Sequence, residues 1–78
     1  MGADLVVRQN GRVIVIQCKR CSSPVGVNAV QEILGAKSFY QADETWVVTD
    51  STFTKAARQL AQCAGVRPKI LTFRARGH

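Results

Sequence analysis

The chain has 78 residues, 46% of them hydrophobic, and a formal net charge of +6 from eleven Lys/Arg against five Asp/Glu. This length and composition predict one small folded domain over residues 1–78 and exclude an intrinsically disordered chain. With no apolar stretch long enough to span a bilayer and no signal-peptide pattern, the sequence predicts a cytoplasmic protein without a membrane partner.

The excess of positive charge indicates a partner that carries phosphates. The eleven cations are spread along the whole chain, so they do not form a disordered basic tail. A folded basic domain is typical of nucleic-acid-binding proteins. The alternative, that positive charge only keeps a small domain in solution, stays open at this point.

A β-hairpin is predicted at the start of the chain. The segments DLVVRQ (4–9) and RVIVIQCK (12–19) are rich in β-branched residues, and the Asn10-Gly11 pair between them is a strong hairpin signal. A type I′ turn of two residues would fix which residues of the two strands face each other.

The hairpin register brings polar residues together at one end of the strands. With this turn, Asp4 faces Gln17, and the alternation of side chains puts Lys19 on the same face. A carboxylate, an amide and an ammonium are thus predicted to converge on one small volume.

The rest of the chain alternates helices with strands. Apolar periodicity predicts a helix over 27–42 and a second over 53–64, with N-cap candidates at 50–52. Short apolar runs predict strands at 45–49 and, after a proline, at 69–73. The order β-β-α-β-α-β predicts parallel pairing across the helical crossovers, with both faces of the sheet covered and an antiparallel hairpin at the front.

The first predicted helix has one broad apolar face. Lys37 falls within that face, where we expect a buried stem and an ammonium that reaches water. The apolar face comprises Val27, Ala29, Val30, Ile33, Leu34, Ala36 and Tyr40, and the opposite face carries Asn28, Gln31, Glu32 and Ser38.

The polar end of the hairpin has the chemistry of a divalent-cation site. A carboxylate from Asp4, the amide oxygen of Gln17 and the backbone carbonyl of Cys18 are hard ligands that suit Mg²⁺. Lys19 beside such an ion would position a water or stabilise charge on a phosphate. On spacing alone, however, an ordinary surface pair of Asp4 and Lys19 with Gln17 between them is favoured.

The three cysteines do not predict a disulfide framework, because their number is odd and no secretory signal is present. Cys18 and Cys21 form a C-x-x-C motif, but Cys18 lies inside the predicted strand and not at the start of a helix, where redox motifs sit. A zinc site would need Cys63 and His78, which have no recognisable spacing. We therefore do not expect thiol chemistry or a small-molecule cofactor.

Several motifs in a fixed order resemble the Mrr-like branch of the PD-(D/E)xK nuclease superfamily. The similarity extends over residues 2–66 and implies a restriction-endonuclease-like mixed α/β sheet. The motifs are GADLV (2–6), IQCKR (16–20), the VG helix opening (25–26), GA within that helix (35–36) and VTDSTFTKAA (48–57).

The resemblance implies roles for particular residues. Asp4 matches the metal-binding aspartate, Gln17 the D/E position and Lys19 the catalytic lysine. Gln31 matches a region where relatives sometimes carry an auxiliary polar residue, although its helical position favours a solvated side chain. Candidate nucleic-acid contacts are Arg20, Lys37, Lys55 and Arg58, the last two of which could equally belong to a solvated helix face.

The chain departs from the family pattern in lacking the usual first helix before the aspartate, since Met1 is only three residues from Asp4. Either a natural minimal version or a fragment would explain this. In both cases apolar surface would be exposed unless another chain covers it, so we expect a homodimer.

The sequence thus predicts an Mrr-like DNA endonuclease that uses Mg²⁺, or Mn²⁺ in its place, to hydrolyse phosphodiesters. A DNA-binding module with too few ligands to cleave is the first alternative, because an amide binds a cation more weakly than a carboxylate does. A dimeric interaction domain on the same scaffold is the second.

Overall fold

The computed structural model of the chain describes residues 3–71. The predicted order of elements is confirmed. The elements are β1 (Ala3–Gln9), β2 (Arg12–Lys19), α1 (Val27–Tyr40), β3 (Glu44–Thr49), α2 (Lys55–Ala64) and β4 (Val66–Ile70).

The hairpin between β1 and β2 forms as its turn residues require. Asn10 and Gly11 both have positive φ angles, 53° and 77°, which a type I′ turn needs at its two central positions. The antiparallel register confirms the expected pairing, with Asp4 directly across from Gln17. The turn therefore sets the position of every residue along β2 relative to β1.

The four strands form one mixed sheet in the order β1-β2-β3-β4. β3 runs parallel to both β2 and β4. Lys19 and Thr49 are paired at the carboxyl ends of β2 and β3. The polar end of the hairpin thus lies at the carboxyl edge of the parallel strands, where open α/β sheets place their ligands.

The two helices pack on the same face of the sheet, so the expectation that both faces are covered is wrong for residues 3–71. α1 packs on β2 and β3, α2 packs on β4, and the helices contact each other. Two right-handed crossovers that step in the same direction across a sheet must put both helices on one side. The core between these layers comprises Val15, Val25, Ala29, Val30, Ile33, Ala42, Val47, Phe53, Ala57, Ala61 and Val66.

The other face of the sheet, called the open face below, is covered by no element of residues 3–71. Leu5 at its edge is 55% exposed, while Ile14, Ile16, Trp46 and Val48 are half-buried by their neighbours within the sheet. The open face is therefore apolar in its centre, although water reaches it.

α2 begins later than the sequence predicted. Its N-cap is Thr54, whose side-chain oxygen accepts a hydrogen bond from the Ala57 N–H at 3.0 Å, and not a residue of 50–52. Phe53, assigned to the helix by its apolar character, is instead buried in front of the helix and forms a parallel bridge with Val25. The start of α2 therefore depends on the Thr54 hydroxyl, which accepts from a backbone N–H that has no partner within the helix, and not on the apolar character of Phe53.

β4 begins earlier than predicted, at Val66, and it contains Pro68. Proline was expected to precede the strand because it cannot donate to a ladder, but β4 is an edge strand, where this loss is tolerated. The predicted residues 72–73 of this strand lie outside the described residues.

The surface of the helices differs from the prediction at Tyr40. Tyr40, expected on the packed face of α1, is 36% exposed and meets Phe39 edge to face, with ring centroids 4.9 Å apart. Within residues 3–71, neither helix combines the length and the apolar character needed to cross a bilayer.

Candidate active site

The candidate site lies on the helix-covered face at the end of β2. Gln17 is buried, with 9% of its surface exposed, and the Lys19 side chain is 19% exposed. The backbone of Asp4 is the direct partner of Gln17 in the ladder. The backbone register that the Asn10-Gly11 turn predicts between these two residues is thus present.

A residue that the sequence analysis did not select completes this cluster. Glu32 on α1 accepts a hydrogen bond through Oε1 from Lys19 Nζ at 3.0 Å and from Gln17 Nε2 at 3.4 Å. Sequence reasoning had placed Glu32 on the solvated face and considered its neighbour Gln31, which is exposed. Glu32 borders the apolar arc of α1, and this position is the signal in the sequence that could have identified it.

The electrostatics of the cluster favour an ionised carboxylate. The hydrogen bond from Lys19, together with its positive charge, holds the pKa of Glu32 below its ordinary value of 4.5. The Glu32 side chain is 56% exposed, so much of this ion pair is screened by water. The pair fixes the position of the Lys19 ammonium more than it stabilises the fold.

The amide oxygen of Gln17 is the unusual atom of the site. Gln17 Oε1 is buried and has no hydrogen-bond partner among the described residues. Leaving such an acceptor unpaired costs about 1–3 kcal/mol. An oxygen that is kept free at this cost fits a hard cation such as Mg²⁺.

The described side chains include no group of three or more His, Cys, Asp or Glu that could hold a metal ion. A divalent cation at this site would therefore depend on the amide oxygen of Gln17, with Asp4 across the ladder as the predicted carboxylate ligand. The predicted carbonyl ligand belongs to Cys18, which is in register with Ala3 and Val48.

The cations predicted to contact nucleic acid are spread over the surface. Arg20 is exposed and lines, with Lys19, a crevice of about 390 Å³ at the carboxyl ends of β2 and β3. Lys37 is half-buried, in keeping with a buried stem, and Lys55 is exposed on α2. Of these cations, Arg20 is the one that shares a crevice with Lys19.

Arg58 belongs to a second basic region that sequence reasoning only partly found. A groove of about 550 Å³ runs between α2 and β4, and Arg67 and Lys69 line it together with Arg58. Arg67 also forms an ion pair with Glu44, and the Lys69 ammonium lies 5.0 Å from the centre of the Trp46 ring. Because the predicted strand began at residue 69, Arg67 was not assigned to a strand, and its position beside Lys69 and α2 was not predicted.

Comparison with known proteins identifies the class of this α/β domain, which is of the nuclease type. The family model described as Mrr_cat, a restriction endonuclease, matches residues 1–72. The chain therefore belongs to the Mrr_cat restriction endonuclease family, as its motifs had indicated.

A solved structure shares the fold. The crystal structure of AF1548, a protein of unknown function, matches with a TM-score of 0.67 and 22% sequence identity over 81% of this chain. The match spans 37% of the AF1548 chain, so this chain corresponds to little more than a third of that protein. A search of the curated proteins finds no significant match.

Proposed function

We propose that this domain is a metal-dependent DNA endonuclease that hydrolyses phosphodiester bonds, with Mg²⁺ as cofactor and Mn²⁺ as a substitute. The observation that carries the proposal is the Oε1 atom of Gln17, which is buried and has no partner within the part of the chain that the structure describes. Gln17 lies beside Lys19 and across the ladder from Asp4. The proposal is supported by the restriction endonuclease family to which the chain belongs.

In this proposal Asp4, the Gln17 amide oxygen and the Cys18 carbonyl hold the cation. When bound, a divalent ion of this kind supplies Lewis-acid stabilisation of negative charge on phosphate oxygens. Lys19, held in place by Glu32 at 3.0 Å, orients the attacking water or stabilises the charge that grows on the phosphate.

The substrate class follows from the charge. A domain with a formal charge of +6 attracts a polyanion, and Arg20 lies next to the candidate site, where it would contact a neighbouring phosphate. Lys37, Lys55 and Arg58 would bind the backbone farther away. A cytoplasmic location, which the composition predicts, suits this role.

A homodimer is part of the proposal. The open face has half-buried aliphatic residues and Trp46 at its centre, with Leu5 at its edge. A second copy that covers this apolar surface would remove it from water, and the two-fold pairing would present two sites to a duplex. Light scattering that gives a monomer mass at micromolar concentration would contradict the dimer.

A DNA-binding module without cleavage is the second candidate. It is favoured by the ligand set, since the D/E position is occupied by Gln17 and amide oxygens bind Mg²⁺ more weakly than carboxylates do. Such a module would keep the fold and the charge but turn over no substrate.

Incubation of supercoiled plasmid with the protein and Mg²⁺ or Mn²⁺ separates these candidates. We expect nicked or linear products from the native chain and none from Asp4→Ala or Lys19→Ala. Arg8→Ala removes a cation from an exposed β1 position outside the site and is the matched control that should still cleave. Salt-sensitive binding without products would favour the binding module, and neither binding nor products would favour a dimeric interaction domain.

A further inference from the structure

We propose that Glu32 is a positioning residue, which orients the Gln17 amide so that its carbonyl oxygen faces a divalent cation and which anchors the Lys19 ammonium beside it. The inference rests on the proposed function, because it assigns a role within the same site. It concerns a residue of α1 that the sequence pattern placed among solvated side chains.

The Gln17 amide has two chemically different ends. A side-chain amide has a donor end, Nε2, and an acceptor end, Oε1, and an ionised carboxylate only accepts. Glu32 Oε1 accepts from Nε2 at 3.4 Å. A flipped amide would bring two negative oxygens together, so Glu32 selects the orientation in which the Gln17 oxygen points away from it.

The Gln17 amide is also buried, which makes an acceptor without a partner unfavourable. Gln17 is 9% exposed, and its Oε1 has no partner among the described residues. Without Glu32, rotation of the amide would let the oxygen find other partners and relieve the cost of an unpaired acceptor. The contact with Glu32 therefore keeps the oxygen free and available to a cation.

Glu32 also holds the Lys19 ammonium. The same carboxylate oxygen, Glu32 Oε1, accepts from Lys19 Nζ at 3.0 Å. Lys19 follows Gln17 by two residues on β2, so both side chains reach α1 from one face of the sheet. One oxygen atom thus fixes the distance between the proposed ligand and the proposed catalytic ammonium.

A simple surface ion pair would have different consequences. The Glu32 side chain is 56% exposed, so removal of a simple surface pair is expected to leave stability nearly unchanged. Loss of a residue that orients a metal ligand typically lowers metal affinity by about 10–100-fold. The two roles therefore predict measurably different results.

The test compares Glu32→Ala, Glu32→Gln and the control Gln31→Ala in the full chain. The Gln17 side-chain amide resonances are followed by NMR without metal, and Mn²⁺ affinity is measured by titration calorimetry. Thermal melting confirms that each variant is folded. Gln31 is the matched control because it is the exposed neighbour on the same helix.

We expect Glu32→Ala to shift the Gln17 amide resonances and to weaken Mn²⁺ binding by about 10-fold or more. Glu32→Gln keeps an acceptor oxygen but no charge, so it should restore the resonances and bind Mn²⁺ within about 3-fold of the native chain. Gln31→Ala should match the native chain in both measurements.

Two results would overturn the inference while the native chain still binds Mn²⁺. One is unchanged Mn²⁺ affinity in Glu32→Ala, and the other is equal loss in Glu32→Gln and Glu32→Ala, which would mean that only the charge matters. If the native chain binds no Mn²⁺, the endonuclease proposal fails and this inference fails with it. If the native chain binds Mn²⁺ with the expected pattern but cuts no DNA, only the endonuclease proposal fails.

Discussion

The two faces of the sheet solve the burial of β2 in different ways. On the helix-covered face, Val15 is fully buried and Gln17 is nearly so. The last β2 side chain on this face is that of Lys19, which forms an ion pair with Glu32. On the open face, Ile14 and Ile16 are apolar and only partly buried. The covered face thus buries a polar side chain, Gln17, at a position where an apolar side chain would make the fold more stable. The open face leaves apolar side chains in contact with water, where polar side chains would be better hydrated.

This difference indicates where the fold has been adapted to interactions beyond itself. Within residues 3–71, Gln17 has a buried acceptor without a partner and the open face has an uncovered apolar surface. Both are unfavourable in an isolated domain. Each becomes favourable when something binds to it. We propose a cation and DNA as the ligands of the first and a second copy of the chain as the partner of the second.

The largest effect should come from the end of the covered face. Lys19→Met is expected to lower kcat for plasmid cleavage by about 100-fold to 10,000-fold, because the ammonium acts in the transition state. Arg20→Met removes the next cation along the chain, which would contact phosphate in ground and transition states alike. It should therefore raise KM and leave kcat nearly unchanged. Equal losses of kcat in both variants would contradict a special role for Lys19.

Stability should distinguish the two faces in the middle of β2. Val15→Ala is expected to lower the free energy of unfolding by about 2 kcal/mol, from the lost methylenes and the cavity that remains. Ile16→Ala on the open face should cost about 1 kcal/mol in a monomer, because that side chain is only partly buried. Urea titration measures both values.

The same comparison depends on protein concentration if the open face is a dimer interface. The cost of Ile16→Ala should then grow as the protein concentration is raised, and that of Val15→Ala should not. An Ile16→Ala cost that is the same at every concentration would count against a dimer that uses this surface.

At Gln17, function and stability should oppose each other. Gln17→Leu replaces a buried amide with an unpaired oxygen by an apolar side chain of similar volume, so we expect the free energy of unfolding to rise by about 1 kcal/mol. Mn²⁺ binding should be lost in the same variant. A less stable Gln17→Leu protein would indicate that the oxygen is satisfied in solution.

The smallest effect is expected at Glu44, on the open face beside β4. The neighbouring Trp46 indole and the guanidinium groups of Arg67 and Arg12 hold the pKa of Glu44 below its ordinary value of 4.5. Because the folded pKa is the lower one, Glu44 stabilises the fold above pH 4.5 and loses this contribution as the pH falls through the folded pKa.

Glu44→Gln should therefore reduce the difference in stability between pH 7 and pH 3, measured by thermal melting. Both arginines are more than half exposed, so water and salt screen their ion pairs with Glu44 and the change is expected to be small. An unchanged pH dependence would show that Glu44 is not coupled to the arginines in solution.

Much of the fold and part of the site could be predicted because they depend on local chemistry. Asn10 and Gly11 accept positive φ angles, and that property set the register of Asp4 against Gln17. The assignment of Lys19 to the same face followed from alternation alone. Helix and strand boundaries were less predictable, since the cap at Thr54 and the edge position of Pro68 depend on neighbours from other elements.

The sequence by itself determined the order of elements, the hairpin register and the polar end of β2, because turn angles and side-chain alternation act over a few residues. Only the tertiary structure decided that both helices share one face, since this depends on the direction in which successive crossovers step across the sheet. It also decided that Glu32 on α1 reaches Gln17 and Lys19 on β2. A helical pattern shows which residues border the apolar face, but the packing of helix on sheet determines which of them meets the strand.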